Sequence, residues 1–437
     1  MTNEIKNRLV FVGTSDVAGL IRGKSFPDAE WEKRSRRGVG WTPTNVQITC
    51  FDTISESPFG SFGDLALIPD ASTRFALEGE DRLDFALGDI QTLDGEPWEF
   101  CTRALARRAL RELHEVTGAT LLSAFEHEFQ LRDEASRPGD AFGFKGFREA
   151  QPWAEAFLDA LDIAGVQPDT FMKEFGPGQY EITNKPAKGL ASADQAAILR
   201  MLAHEILPRF GKSPCFAPIL DPDSVGNGLH IHFSFLDAAD NPLTYDGEDP
   251  HGMSELTRHF IGGILKYLDQ IIAILAPSDV SYLRLTPHRW SAAYNNLGVR
   301  DREASVRICP VTASDEQSIA RQFNFEVRAA DAAASPHLAL AALVFAGTQG
   351  IRDRIDPPSP VNDDISLYSA SELASKGIKR LPTSLAEALE TFRTSKAVQG
   401  WFGEAFTNLY FAHKQGEMKQ LEALDAVQKC KRYSEVY

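Results

Sequence analysis

Thr120-Leu121-Leu122-Ser123-Ala124-Phe125-Glu126-His127-Glu128-Phe129-Gln130-Leu131 is the stretch on which the reading of this chain turns. It follows a segment over 101–117 in which Leu105, Ala109 and Leu113 recur at helical spacing and Gly118 supplies a stop. As a strand, it sends alternate side chains to opposite faces. Glu126 and Glu128 then project together, while Phe125, His127 and Phe129 face the other way. Two neighbouring carboxylates repel unless a cation lies between them. A solvated sheet edge would accept the same pair, although the flanking Leu121, Leu122, Phe129 and Leu131 are apolar.

Three further motifs extend the pattern. Glu174 and Glu181 bracket Phe175-Gly176-Pro177-Gly178-Gln179-Tyr180, a turn that lets two strand ends converge. His230, His232 and Ser234 share one face of an apolar strand after the Gly226-Asn227-Gly228 turn. Glu326 and Arg328 share a face in Phe325-Glu326-Val327-Arg328, as a plain ion pair or as a ligand beside a substrate clamp. Glu126, Glu128, Glu174, Glu181, His230 and Glu326 are thus candidate ligands. Five carboxylates and one imidazole suit a pair of hard divalent cations such as Mg²⁺ or Mn²⁺. Such a pair commonly handles phosphoryl groups, which points to an ATP-using enzyme.

The rest of the chain sets limits. Its 437 residues suffice for two domains, and a net charge of -16 speaks against nucleic acid as a partner. Cys50, Cys101, Cys215, Cys309 and Cys430 are scattered, which argues against a disulfide framework or a zinc site. The start Met1-Thr2-Asn3-Glu4-Ile5-Lys6-Asn7-Arg8 lacks an apolar signal core, and Leu338–Ala346 is too short to span a bilayer. A cytoplasmic protein with no membrane partner is expected. Residues 8–98 read as β-rich, with strands at Leu9–Val12 and Asn45–Phe51, and Lys33–Arg37 reads as a solvated loop. Helices are expected near 152–164, 192–209, 252–275, 335–352, 384–395 and 402–430. Ser384-Leu385-Ala386-Glu387 is read as a capping box, and Asp356–Asp364 as a surface loop.

The ordered set resembles the glutamine synthetase family, whose pattern runs E-x-E, E-x-x-P-G-Q-x-E, G-x-G-x-H-x-H-x-S, N-R-x-x-x-x-R and E-x-R. Asp16-Val17-Ala18-Gly19-Leu20-Ile21-Arg22-Gly23-Lys24, Gly63–Asp70, Ser335–Ala342 and Leu381–Leu385 resemble further family segments, so the likeness covers nearly the whole chain. It implies an α+β fold: a small N-terminal β-grasp domain over 1–98 and a large catalytic domain over 99–437, of guanido kinase-like fold, with a curved antiparallel sheet and helices.

It also implies roles. Glu128, Glu174 and Glu181 would hold one metal, and Glu126, His230 and Glu326 the second, with two to three Mg²⁺ or Mn²⁺ ions per site. Arg284, Arg328 and Gly226 would meet glutamate. Arg302 and Arg307 would neutralise the transferring phosphoryl group, while His232 and Ser234 would meet the nucleotide. Asp16, from a neighbouring subunit, would take the proton of the attacking amine. A homo-oligomer follows, a dodecamer of two stacked hexameric rings with active sites between subunits.

Three positions depart from the family. Trp290 stands where glutamine synthetases carry the glutamate that binds ammonium; an indole cannot accept that cation's protons, but it packs alkyl groups and faces cations. Val225 and Asn324 replace a frequent asparagine and arginine. The expectation is an ATP-dependent ligase joining the γ-carboxylate of glutamate to a primary amine through a γ-glutamyl phosphate, with Trp290 in the amine pocket. The alternatives are an ammonia-using glutamine synthetase, a non-catalytic structural member, and a guanidino kinase. No cysteine stands in the context a guanidino kinase requires.

Overall fold

The computed structural model describes residues 7–79, 82–135 and 137–437. Residues 1–6, most of the start read above as lacking a signal core, lie outside them. The N-terminal sheet contains β1 (Leu9–Ser15), β2 (Ile21–Pro27), β3 (Val39–Trp41), β4 (Leu65–Pro69), β5 (Phe75–Leu77) and β6 (Leu83–Gln91) in the order β2-β1-β6-β4-β3, with β5 also on β6. The central β1–β6 pair is parallel and every other pair is antiparallel, as a β-grasp arrangement requires.

The second sheet comprises β7 (Thr120–Leu131), β8 (Pro168–Lys173), β9 (Gln179–Asn184), β10 (Ala187–Lys188), β11 (Pro214–Cys215), β12 (Leu229–Leu236), β13 (Leu297–Val299), β14 (Val306–Ile308) and β15 (Phe325–Val327). Its order is β13-β14-β15-β12-β7-β9-β8, with β10 and β11 also on β7. It is antiparallel except for the parallel β13–β14 pair, so the expected antiparallel sheet is mixed at one edge. Altogether the chain is α+β.

Pleat alternation decides what this sheet buries. On β12, Leu229, Ile231, Phe233 and Phe235 point into the core, where Phe233 and Phe235 meet Phe260 of the helix Glu255–Leu275 with ring centroids 6.0 and 5.0 Å apart. On β7, Phe125, His127 and Phe129 are buried, and Phe129 packs against Trp153, Tyr180 and Phe216. The opposite faces carry Glu126, Glu128, His230, His232 and Ser234. Behind the sheet, Glu255–Leu275 crosses Pro336–Arg352 closely: a Cβ at Gly263 would lie 2.2 Å from the Ala346 carbonyl oxygen. The buried Arg103 guanidinium ties the N-terminal sheet to the helix Ala191–Ile206, reaching Asp70 (3.0 Å), Asp89 (2.8 Å) and Asp194 (2.8 Å).

Several expectations need correction. Asn45–Phe51 is not a strand: Pro43–Gln47 forms a 3-10 turn, and the buried Gln47 side chain bonds Ser55 and the Glu56 carbonyl in place of a ladder. Lys33–Arg37 belongs to a short exposed helix, Trp31–Arg37, rather than a loop. The helix expected from 152 begins at Phe144 and continues through an exposed Pro152, which removes one of its backbone hydrogen bonds. The span 402–430 is two helices, Glu404–Leu421 and Ala426–Ser434, since Asp425 and Gln428 form a capping box that starts a new one. At Ser384 only half a box forms: Ser384 accepts from the Glu387 amide, but the Glu387 carboxylate accepts from the Thr383 amide instead. Among the described residues no helix is long and apolar enough to cross a membrane.

Candidate active site

Strand register assembles the site. His230 faces Glu126 across β12–β7, Glu181 faces Glu128 across β9–β7, and Glu326 faces His232 on one side and Arg307 on the other. Residues far apart in sequence therefore form one diagonal row across five strands. His230 Nδ1 lies 2.6 Å from Glu126 Oε1, and His230 Nε2 lies 3.8 Å from Glu128 Oε1. His232 Nε2 lies 3.0 Å from Glu326 Oε2 and 3.5 Å from Glu126 Oε2. Glu326, with no exposed side chain, also accepts from Arg307 Nε (2.5 Å) and Arg328 Nη1 (2.8 Å) on its other oxygen.

One donor atom each from Glu126, His230 and Glu326 fall within 4.8 Å of one another. Among them, His230 Nε2 is buried without a hydrogen-bond partner, whereas Glu326 Oε2 lies 3.0 Å from His232 Nε2. An orphaned buried nitrogen beside carboxylates is costly unless something binds it, so this set fits a divalent cation. Glu128, Glu174 and Glu181 are drawn together less tightly. Glu128 Oε2 is held by the Gly228 amide (2.7 Å), and Glu174 Oε2 accepts from the Phe175 amide (2.9 Å).

The electrostatics are those of crowded, buried carboxylates. Burial, then the carboxylates of Glu126, Glu128 and Glu174, push Glu181 up to about 10. Burial raises Glu174 as well, helped by Glu128 and Glu126 and opposed by Arg302. For Glu326, burial is outweighed by His232, Arg328 and His230, which hold it well below the usual carboxylate range. His232 is raised well above its ordinary value: burial opposes this, but contacts to Cys309, Glu126 and Glu326 win.

Beside the row, a cleft of about 420 Å³ is lined by Glu126, Glu181, His232, Ser234, Arg321 and Asn324 among others. Its size suits a nucleotide-sized ligand. Arg321 is not among the residues singled out from the sequence: it precedes the Phe325–Arg328 motif on a short helix, Glu316–Gln322, and only the fold turns it toward the cleft. On the other side, Arg284 is buried and its Nη1 has no partner. It is accommodated by missing side chains: a Cβ at Gly226 would sit 2.8 Å from Arg284 Cδ, and one at Gly228 would sit 2.7 Å from Arg284 Nη2 and 2.9 Å from His230 Nε2. Arg302 is exposed, and its carbonyl accepts from Arg328 Nε (2.9 Å).

Trp290 stands beside the Glu174 turn in the left-handed region (φ 52°), 52% exposed, with its ring edge-on to Phe175 at 5.2 Å. Its amide donates to Glu303 (3.1 Å) and its carbonyl accepts from Arg328 Nη2 (3.4 Å). Asp16 does not join the row. Its carboxylate accepts from the Ala18 and Leu20 amides and from Arg22 Nε (2.7 Å), and burial raises its pKa against the pull of Arg22. Arg22 also binds Asp52 (3.1 Å), and of these two carboxylates only Asp52 faces solvent. Cys309, set aside in the sequence, lies with its Sγ 3.7 Å from His232 Nδ1.

A mixed sheet carrying a row of carboxylates and histidines between a nucleotide-sized cleft and a buried arginine suits phosphoryl transfer to a carboxylate substrate, and the family comparisons make the protein an ATP-dependent glutamate–amine ligase. Residues 99–433 match the glutamine synthetase catalytic domain and residues 2–98 the glutamine synthetase N-terminal domain. The chain belongs to the glutamine synthetase family. A crystal structure described as a novel glutamine synthase homolog superposes with a TM-score of 0.91 at 37% identity, covering 100% of both chains. A γ-glutamylpolyamine synthetase of Streptomyces coelicolor is 31% identical over 94% of this chain and 89% of its own length. A glutamine synthetase of Thermococcus kodakarensis is 28% identical over 94% of this chain and 90% of its own.

Proposed function

We propose that this enzyme joins the γ-carboxylate of L-glutamate to a primary amine, with ATP hydrolysed to ADP and phosphate. The observation that carries the reading is the convergence of Glu126, His230 and Glu326, with His230 Nε2 buried and unpartnered, beside the cleft. In this reading Glu126, His230 and Glu326 hold one divalent cation, and Glu128, Glu174 and Glu181 a second. Bound there, divalent cations supply charge neutralisation for an in-line phosphoryl transfer.

The protein's own groups do the rest. Arg284, with a free buried donor, and Arg328 beside it orient the glutamate, since a guanidinium matches a carboxylate's two oxygens. His232 and Ser234, in the cleft wall, meet the nucleotide, and Arg302 and Arg307 face the transferring group. A γ-carboxylate oxygen attacks the γ-phosphorus and ADP departs. The amine nitrogen then attacks the acyl carbon, phosphate leaves, and the nitrogen gives up a proton. Asp16 accepts that proton only if a neighbouring subunit frees it from Arg22; a ring-built dodecamer would bring such a contact, and the division at residues 98 and 99 would place the small domain at it.

The amine preference follows from Trp290. Overall identity does not separate amine-using from ammonia-using relatives, because both stand near 30%. At position 290, however, an exposed indole paired with Phe175 offers apolar surface and a π face, and the neighbouring Glu303 carboxylate is engaged by the His288 and Trp290 amides. The test is phosphate release with ATP, glutamate and a panel comprising alkylamines, diamines, polyamines, ethanolamine and ammonium. Turnover that requires glutamate and is highest with an amine supports the reading. Turnover highest with ammonium makes the protein a glutamine synthetase.

A further inference from the structure

The loop that carries Trp290 has an unusual backbone. His288 (φ 64°) and Trp290 (φ 52°) both occupy the left-handed region, which residues with a Cβ seldom adopt and bulky ones least of all. One side chain answers both. The carboxylate oxygens of Glu303 each accept one amide, Oε2 from His288 (3.0 Å) and Oε1 from Trp290 (3.1 Å). Backbone amides turned onto one anion in this way form a nest. Glu303 is itself set in place: its amide donates to Asp301 Oδ1 (2.9 Å), and the carbonyl of the preceding Arg302 accepts from Arg328 Nε (2.9 Å). Packing does not substitute for these bonds, because a cavity of about 260 Å³, lined by Pro287, His288, Asp301, Glu303 and Asp364 among others, opens beside them. Arg289 Nη1 pins the middle of the loop to the Pro222 and Ser224 carbonyls (2.7 and 2.6 Å), which leaves the peptide orientations at 288 and 290 to Glu303.

We propose that Glu303 is a positioning residue that sets amine specificity: by engaging the His288 and Trp290 amides, its carboxylate holds the Trp290 indole edge-on to Phe175, where the pair receives the apolar part of the amine. The proposal rests on the amine-ligase reading and names what fixes its specificity. Glu303 acts through Trp290 and not on the reacting groups. Once its oxygens are gone, the backbone at 288 and 290 relaxes out of the left-handed region. The indole then turns away from Phe175, held only by its own edge contact and by the 3.4 Å bond from Arg328 Nη2 to the Trp290 carbonyl. The same commitment to two amides keeps the Glu303 charge from serving as an ammonium site.

The test compares Glu303→Gln and Glu303→Ala with Trp290→Ala and with the two double variants, all in the whole enzyme. Glutamine keeps one acceptor oxygen and sets an NH₂ group against the other amide; alanine removes both acceptors. Each Glu303 variant should raise KM for the preferred amine by about tenfold, the worth of the lost apolar and cation–π contact. Changes in kcat and in KM for glutamate and ATP should stay within about twofold. In the Trp290→Ala background the same substitutions should add less than about twofold, since residues that act through one contact are not additive. Trp290 fluorescence, taken as the difference from the matching Trp290→Ala protein and read without substrates, should become more open to acrylamide quenching in both Glu303 variants. Unchanged thermal midpoints would show that the variants fold. An unchanged amine KM, an equal rise in KM for glutamate and ATP, a double variant that falls by the product of the two single effects, or unaltered quenching overturns the proposal. Turnover highest with ammonium would remove the amine-ligase reading instead, and the quenching difference would still report whether Glu303 holds Trp290.

Discussion

Glu181→Gln should stabilise the metal-free protein, and by an amount that depends on pH in a defined direction. Glu181 is 8% exposed, and burial with three neighbouring carboxylates pushes it from 4.5 to about 10. The fold therefore keeps a proton that the unfolded chain releases above its ordinary pKa. A carboxyl whose folded value is raised carries no penalty below the unfolded value, and its penalty grows as pH climbs toward the folded value. At about 1.4 kcal/mol per pH unit, the span from 4.5 to 7 amounts to about 3 kcal/mol. The amide keeps the size and has no charge to suppress, so the variant should recover most of this at pH 7, more at pH 8.5 and almost none at pH 4.5. For a chain of this length 1 kcal/mol moves the midpoint by about 1 °C, so about 3 °C is expected at pH 7. With saturating Mg²⁺ the order should reverse, because only the wild type gains a ligand for the ion. The assay is thermal unfolding of both proteins, with chelator and with Mg²⁺, at the three pH values. Equal midpoints at every pH in chelator would mean that the carboxylates do not share a crowded, buried site, and the cation assignment would lose its electrostatic basis.

Other expectations follow from the same geometry. Glu128→Ala and Glu326→Ala should each lower phosphate release at saturating Mg²⁺ by at least about 100-fold, and Glu326→Ala should also destabilise by about 3–5 kcal/mol because Arg307 and Arg328 lose a buried partner. Near wild-type turnover in either variant contradicts the site. Trp290→Ala should lower kcat/KM for the preferred amine by about tenfold, the worth of 1–2 kcal/mol of apolar and cation–π contact, without creating ammonia use; an unchanged amine profile removes Trp290 from the pocket. Asp16→Asn, mixed and reassembled with Glu326→Ala, should recover activity if Asp16 acts across a subunit contact. Recovery with Asp52→Asn but not with Asp16→Asn would transfer that role to the solvent-facing carboxylate on Arg22.

Much of the site was legible because β-strands have a period of two. Glu126 with Glu128, His230 with His232, and Glu326 with Arg328 each needed only strand alternation to be placed on one face. What the sequence could not convey was register between strands, which aligns Glu326 with His232 and Arg307 and brings Cys309 to an imidazole 77 positions away. The long helices were legible from apolar periodicity, whereas the failures sit where local chemistry competes with pattern. The buried Gln47 side chain replaces a ladder at residues 45–51, Asp425 caps a new helix where one long helix is expected, and a helix runs on through Pro152 to start at Phe144. Asp16 illustrates a different limit: a motif can be matched in sequence while its side chain is committed to its own chain's turn.

The central claim is that a glutamate carboxylate is activated by phosphoryl transfer and then captured by an amine. It is tested most directly with glutamate labelled with ¹⁸O in the γ-carboxylate, incubated with ATP, Mg²⁺ and the best amine of the panel. The account predicts one labelled oxygen in each phosphate released and a product whose mass is that of the γ-glutamyl amide, with both absent when the amine is omitted. Phosphate free of label, or labelled phosphate formed only with ammonium and glutamine as product, would contradict it.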